Sequence, residues 1–308
     1  VKAIVYKSTG SWYVVKTADG QFHNARVKGI FKIDGITSTN PIAVGDEVNI
    51  SFENTEEASA VIEEISDRHN YVARVSPHNK RQHHIIASNI DQSLLFVTLK
   101  SPKTSLGFID RFLIACESFH IPATIVFNKA DIYREKEIQQ YERYREIYTD
   151  IGYDVLLTSV EKGEGLEEVR KKLVGKKSLL GGHSGVGKST LINALFPDYA
   201  LRTQEVSSWS GKGMHTTTFA EMFDIDENSK VIDTPGIREL GITAVSKQEL
   251  SHYFPEMRKV LNDCQFNNCM HYNEPGCAVK QAVGTGVISE ERYVSYLTIK
   301  DTIEENLY

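Results

Sequence analysis

Gly182-His183-Ser184-Gly185-Val186-Gly187-Lys188-Ser189 lies between the apolar stretch KSLL and the helical stretch TLINALF, and this strand–loop–helix decides the fold. It matches G-x-x-x-x-G-K-[ST] without a mismatch, and the context on both sides is the one the motif requires. Glycines let the backbone curl until several N–H groups point at one anion, and the following helix adds its positive end. Over Gly182–Thr190 the chemistry is that of a phosphate loop. Lys188 is placed to reach the β- and γ-phosphates, and the Ser189 hydroxyl to ligate Mg²⁺.

Downstream, the strand KVID ends in Asp233-Thr234-Pro235-Gly236. An acid at the tip of a buried strand can hold Mg²⁺ through water, and a Gly236 N–H can approach the γ-phosphate. Upstream, the strand ATIVF runs into Asn128-Lys129-Ala130-Asp131. This is N-K-x-D, the guanine-reading loop of GTPases. An ionised Asp131 accepts from the two donors at guanine N1 and N2, a pair that adenine lacks. The Asn128 amide is expected to tie this loop to the phosphate loop, and the Lys129 stem to cover the base. Thr158-Ser159-Val160 follows the strand DVLL and is expected to be a second base-contacting loop, although Val160 and Glu161 depart from the usual Ser-Ala-Lys. Ser159 and Val160 are its expected contacts.

These motifs stand in a permuted order. Most GTPases place the phosphate loop first and N-K-x-D last, whereas here residue 128 precedes residue 182. Relocating the chain ends builds the same site from either order, because termini lie near one another at the surface. From about residue 90 onward, strands alternate with helices, which implies a mostly parallel sheet covered on both faces. Before that, KAIVY, SWYVVKT, QFHNARV, DEVNISF and ASAVIEEI read as five short strands, with a hairpin signal at Asp19-Gly20. Five strands suit a small barrel, of which the OB-fold is the commonest nucleic-acid-binding case, and an SH3-like barrel fits the pattern nearly as well. After about residue 241 the pattern turns helical. The expected organisation is an OB-fold barrel over 1–66, an α/β permuted P-loop GTPase domain over 67–240, and a mainly α zinc-binding domain over 241–308.

Within the last part, Cys264-x4-Cys269-x-His271-x5-Cys277 sets three thiols and one imidazole along 14 residues. Four soft ligands with no open position describe a structural, tetrahedral Zn²⁺ site, one per chain. The fourth cysteine, Cys116, falls on the apolar side of a helix and is expected in the core. Residues 241–308 carry six Lys/Arg against nine Asp/Glu, which argues against a DNA-binding finger. A net charge of −6 over 308 residues excludes a general polyanion binder. One stretch departs from that average: Arg68 to His84 holds Arg68, Arg74, Lys80, Arg81 and four histidines without an acid, and is expected to be a solvated linker able to meet phosphate. No apolar run is long enough for a bilayer, and VKAIVYKSTG lacks a signal-peptide layout, so a cytoplasmic location is expected. Nothing in the sequence demands more than a monomer.

The whole chain resembles the small-ribosomal-subunit-dependent GTPase A family, permuted GTPases with an N-terminal OB-fold and a C-terminal zinc domain. The resemblance is carried by Ile86-Ala87-Ser88-Asn89-Ile90-Asp91, Asn128–Asp131, Gly182–Thr190, Gly213-Met214-His215-Thr216-Thr217-Thr218, Asp233–Gly236 and the cysteine cluster. It implies a cytoplasmic factor of late 30S maturation that contacts 16S rRNA and whose weak GTPase is stimulated by the subunit. Many GTPases orient the attacking water with a Gln after D-x-x-G, but this chain has Ile237 there. His215 is the nearest candidate to align the water, and the resemblance supports a catalytic histidine at that position. Of the three adjacent threonines, the same likeness favours Thr217 as the Mg²⁺ ligand beside Ser189 and Asp233. A rival reading is a GTPase switch for a protein partner outside the ribosome, with the barrel as a peptide-binding module.

Overall fold

The computed structural model describes residues 1–10, 12–27, 41–52, 59–75, 83–197, 220–233 and 245–303. Its first five strands are β1 (Lys2–Ser8), β2 (Tyr13–Thr17), β3 (Phe22–Val27), β4 (Glu47–Phe52) and β5 (Ala60–Ile65). Alternating residues such as Val5, Tyr13, Val15, Ile50 and Ile62 are buried together, as period-two patterning requires. The strands pair in the order β1-β2-β3-β5-β4 and close by β4 returning to β1, which makes an OB-like barrel. The expected turn follows β2, where Gly20 at φ 86° donates its N–H to Thr17 O (2.9 Å).

The stretch expected as a basic linker is largely structured. Strands β6 (Tyr71–Val75) and β7 (His83–Ser88) form an antiparallel pair, while Lys80 and Arg81 lie outside the described residues. Nor is Arg68 available to phosphate. Its guanidinium donates two 2.6 Å bonds to the buried Asp46, which also accepts from Ser88 Oγ. The following Asn89 bonds the backbone at His69 and Gly45, so the IASNID segment helps form the seam between the barrel and the second domain.

The second domain is built on β8 (Gln92–Val97), β9 (Ala123–Phe127), β10 (Asp154–Leu157), β11 (Lys177–Gly181), β12 (Glu221–Asp224) and β13 (Lys230–Asp233). They lie in the order β10-β9-β8-β11-β13-β12, parallel except for β12. Every residue of β8 is buried, the mark of a strand covered on both faces. Helices α1 (Leu106–Ser118), α2 (Glu135–Asp150), α3 (Leu166–Leu173) and α4 (Lys188–Leu195) connect the strands. Cys116 of α1 is in the core, and burial pushes its thiol up to about 12. The chain winds from β8 toward β10, then crosses back to β11, so a switch point falls between β8 and β11, where loops at the carboxyl ends diverge and ligands bind. Strand β12 was not legible in the sequence. It pairs on its outer side with β1, so one 11-stranded sheet runs from the GTPase domain into the barrel.

The third region carries the short α5 (Pro255–Arg258), α6 (Ala278–Gly284) and α7 (Glu290–Thr302). It docks on α1. Arg292 of α7, 1% exposed, pairs with Asp110 of α1 and with Glu256 of α5 (2.7 Å), and lies over the Phe254 ring. Tyr148 of α2 also donates to Asp110 (2.6 Å). Three charges removed from water can persist only with this degree of mutual pairing.

Candidate nucleotide site and metal cluster

Loops at the ends of β9 and β11 emerge at the same edge of the sheet, one strand apart. They are braced directly. Asn128, buried, donates its side-chain N–H to Val186 O of the phosphate loop (3.0 Å). Its Oδ1 accepts from Thr158 Oγ1 (2.9 Å), which fixes the orientation of the amide. The approach is close enough to need glycine. Gly187 sits at φ 92°, and a Cβ there would come 2.5 Å from Asn128 Nδ2. Gly182, at φ 128°, would place a Cβ 2.2 Å from the Phe96 carbonyl oxygen. Val186 is buried beneath the loop, whereas Ser184, Gly185, Ser189 and Thr190 are exposed. Lys188 Nζ donates to the carbonyls of Gly182 (2.8 Å) and His183 (3.0 Å), so it already lies across the loop it serves.

Lys129 adopts φ 64°, which turns its side chain away from the β9 direction, and its Nζ donates to Ser101 O (2.8 Å). Ala130 opens a short turn whose N–H bonds Thr158 O (3.0 Å). Asp131 accepts from Ser159 Oγ (2.7 Å), so one carboxylate oxygen is held while the group stays partly exposed. Val160, half-buried, packs partly against the core cluster around Leu94 and Val126. Asp233 ends β13 in register with Leu180, two residues before Gly182. Gly236, His215 and Thr217 lie outside the described residues.

Two supporting side chains escaped the sequence reading, and a third was read only as part of a loop. Tyr133 donates its hydroxyl to Asn128 O (2.8 Å) and accepts from Leu99 N (3.1 Å), and burial pushes its pKa up to about 12. It therefore stays a neutral brace at any working pH. Phe108, in the first turn of α1, stacks on His183 with ring centroids 3.9 Å apart. Thr158 was visible only as part of the second loop. Partners such as Thr158 and Asn128 are 30 residues apart, and no spacing rule pairs them.

The cysteine cluster closes into one knot. The ligand atoms of Cys264, Cys269, His271 and Cys277 all lie within 4.8 Å of one another. His271 Nδ1 is 3.5 Å from Cys277 Sγ and 3.7 Å from Cys264 Sγ. An ideal tetrahedral ion with Zn–S and Zn–N bond lengths has S···N edges of about 3.6 Å, so the donor set fits one. His271 Nε2 points elsewhere and has no hydrogen-bond partner among the described residues. Burial holds His271 below its ordinary pKa and pushes the Cys269 thiol up to about 12. The imidazole is thus neutral, and a thiolate beside it needs a cation. Burial alone would raise Glu274, yet the N–H groups of Met270 and Tyr272 hold its carboxylate at about 2, and these bonds fold the loop that presents His271.

Residues 65–243 match the family model described as RsgA GTPase, and residues 2–60 the one described as RsgA N-terminal domain. Over 308 residues the chain is 49% identical to a Bacteroides thetaiotaomicron protein named small ribosomal subunit biogenesis GTPase RsgA 2, covering 100% of this chain and 99% of that one. It is 53% identical over 305 residues to the Cytophaga hutchinsonii protein named small ribosomal subunit biogenesis GTPase RsgA, with 98% and 99% covered. The crystal structure of YjeQ from Thermotoga maritima superposes with a TM-score of 0.76 at 33% identity, covering 97% of each chain. That of YloQ, described as a circularly permuted GTPase, gives 0.71 at 29% identity, covering 99% of this chain and 96% of that one. The permuted site is a shared inheritance, and the chain belongs to the RsgA family of GTPases, enzymes that hydrolyse GTP.

Proposed function

We propose that this GTPase acts in the cytoplasm, as a monomer, on the small ribosomal subunit during late 30S maturation, contacting 16S rRNA and leaving after hydrolysis. The observation that carries the nucleotide part is the Asn128–Val186 bond, which makes base loop and phosphate loop one rigid unit despite their permuted order. The names of the relatives, whose likeness spans the full chain, carry the ribosomal part.

In this reading Asp131, steadied by Ser159, accepts from guanine N1–H and N2–H, while the Lys129 stem covers the ring and Ala130 and Val160 complete the wall. Backbone N–H groups of Gly182, His183, Ser184, Gly185, Val186, Gly187 and Thr190 cradle the phosphates, and Lys188 leaves its two carbonyl partners for the β- and γ-oxygens. Ser189, Thr217 and Asp233 would hold Mg²⁺, whose charge offsets that on the transferred phosphoryl group. Gly236 N–H approaches the γ-phosphate, and His215 aligns the water. Cys264, Cys269, His271 and Cys277 hold one structural Zn²⁺. The division is barrel 1–66, GTPase domain 67–240 and zinc domain 241–308.

The test is co-sedimentation with purified 30S subunits. The protein is expected to pellet with them when bound to a GTP analogue and to remain largely in the supernatant with GDP. Recovery in neither state contradicts the ribosomal assignment, and equal recovery in both contradicts release after hydrolysis.

A further inference from the structure

The seam between barrel and GTPase domain carries one row of charges that ends at the phosphate site. Lys7 of β1 stands opposite Glu221 of β12, and Glu221 stands opposite Asp233 of β13. Residues directly opposite in antiparallel strands share a face of the sheet, so all three side chains lie side by side. Lys7 Nζ bonds Glu221 Oε2 at 3.2 Å, with only 19% and 9% of the two side chains exposed. Two like charges opposite each other on one face are destabilising. Burial raises Glu221, and the neighbouring Asp233 raises it further, while Lys7 lowers it. The barrel therefore supplies the counter-charge for an acid beside Asp233.

We infer that Lys7 and Glu221 are positioning residues for the magnesium carboxylate, through which the barrel sets the net charge facing the phosphates. The inference rests on the proposed role of Asp233. Beside the backbone register pair that joins β1 to β12, Tyr6 and Lys16 donate to Asp224 (2.6 and 2.5 Å). A cavity of about 390 Å³, lined by Lys2, Tyr6, Lys16, Asp224 and Lys230 among others, lies in the same seam. Without Lys7, Glu221 and Asp233 stand as two acids side by side, which bind a divalent cation more strongly than one acid flanked by an ion pair.

The test is the Mg²⁺ concentration giving half-maximal binding of a non-hydrolysable GTP analogue to the full chain, with that for half-maximal hydrolysis read beside it. Lys7→Met removes a positive charge and is expected to lower that concentration about three- to tenfold. Glu221→Gln removes a negative charge and is expected to raise it by about the same factor. The double variant is expected to return toward the wild-type value. A role in packing alone would move both single variants the same way, so shifts of one sign, or none, overturn the inference. Should Lys7→Met not fold, Glu221→Gln decides alone: an unchanged or lowered requirement overturns it. Asp233→Asn is measured alongside. If it leaves the Mg²⁺ requirement unchanged, the assignment of Asp233 fails and takes the inference with it. A raised requirement there, with unmoved Lys7 and Glu221 variants, overturns this inference alone.

Discussion

Replacing Asp131 by Asn is expected to turn base preference from guanine to xanthine. The carboxylate faces two donors on guanine, at N1 and at the exocyclic amine. An amide in the same place offers one acceptor and one donor, so its NH₂ group meets the guanine amine donor to donor. Xanthine keeps the N1–H and carries a carbonyl where guanine has the amine, which matches the amide. Ser159 Oγ, at 2.7 Å from Asp131 Oδ1, can still donate to the amide oxygen and hold it in place. A site built to bond particular polar atoms rejects their absence by orders of magnitude, so kcat/KM for GTP should fall on the order of 10³-fold while that for XTP rises. The check is kcat/KM for both nucleotides. An unchanged preference for GTP would remove Asp131 from base reading.

The second large effect concerns the cysteine cluster. Residues 245–303 bury a small core around Leu250, Phe254, Val279 and Tyr296, and the cluster sits inside it. Structural Zn²⁺ contributes on the order of 10 kcal/mol to small metal-folded units, more than such a core retains alone. Purified protein should therefore carry about one Zn²⁺ per chain. Cys277→Ala should lose the metal and speed hydrogen exchange across residues 264–300 far more than across β8 and β9. The effect should reach α1 as well, because Asp110 depends on Arg292 for its counter-charge. Protein without near-stoichiometric zinc, or unchanged exchange in the variant, would contradict the assignment.

Much of this architecture could be read from local pattern. The buried runs of β8 and β9 and the spacing along α1 and α2 announced themselves, as did the strand–loop–helix at Gly182. Strand β12 did not. Its four residues, EMFD, hold two acids, and what makes them a strand is pairing with Ile232 and Val231 on one side and Lys7 on the other. The β6–β7 hairpin was hidden by its polar residues, which read as solvated chain. Arg68 looked like part of a phosphate-binding patch because its partner Asp46 lies 22 residues earlier, before β4 and β5. For the site, the motif residues were legible and their braces were not: Tyr133 under Asn128 and Phe108 against His183 are contacts of tertiary structure. The link from the zinc region to the GTPase domain likewise runs through Arg292 on a helix whose sequence gives no sign of a buried guanidinium.

The most direct test of the account is GTP turnover with and without purified small ribosomal subunits, for the wild-type chain and for His215→Ala. Having Ile237 where many GTPases carry a water-orienting Gln, the isolated protein should turn over slowly. Subunits should raise wild-type turnover about 10²-fold or more, as activating partners do for other GTPases. His215→Ala should keep its GTP affinity and lose most of that stimulation, and unchanged stimulated turnover would remove His215 from the mechanism. A wild-type rate that small subunits leave unchanged would contradict the central claim.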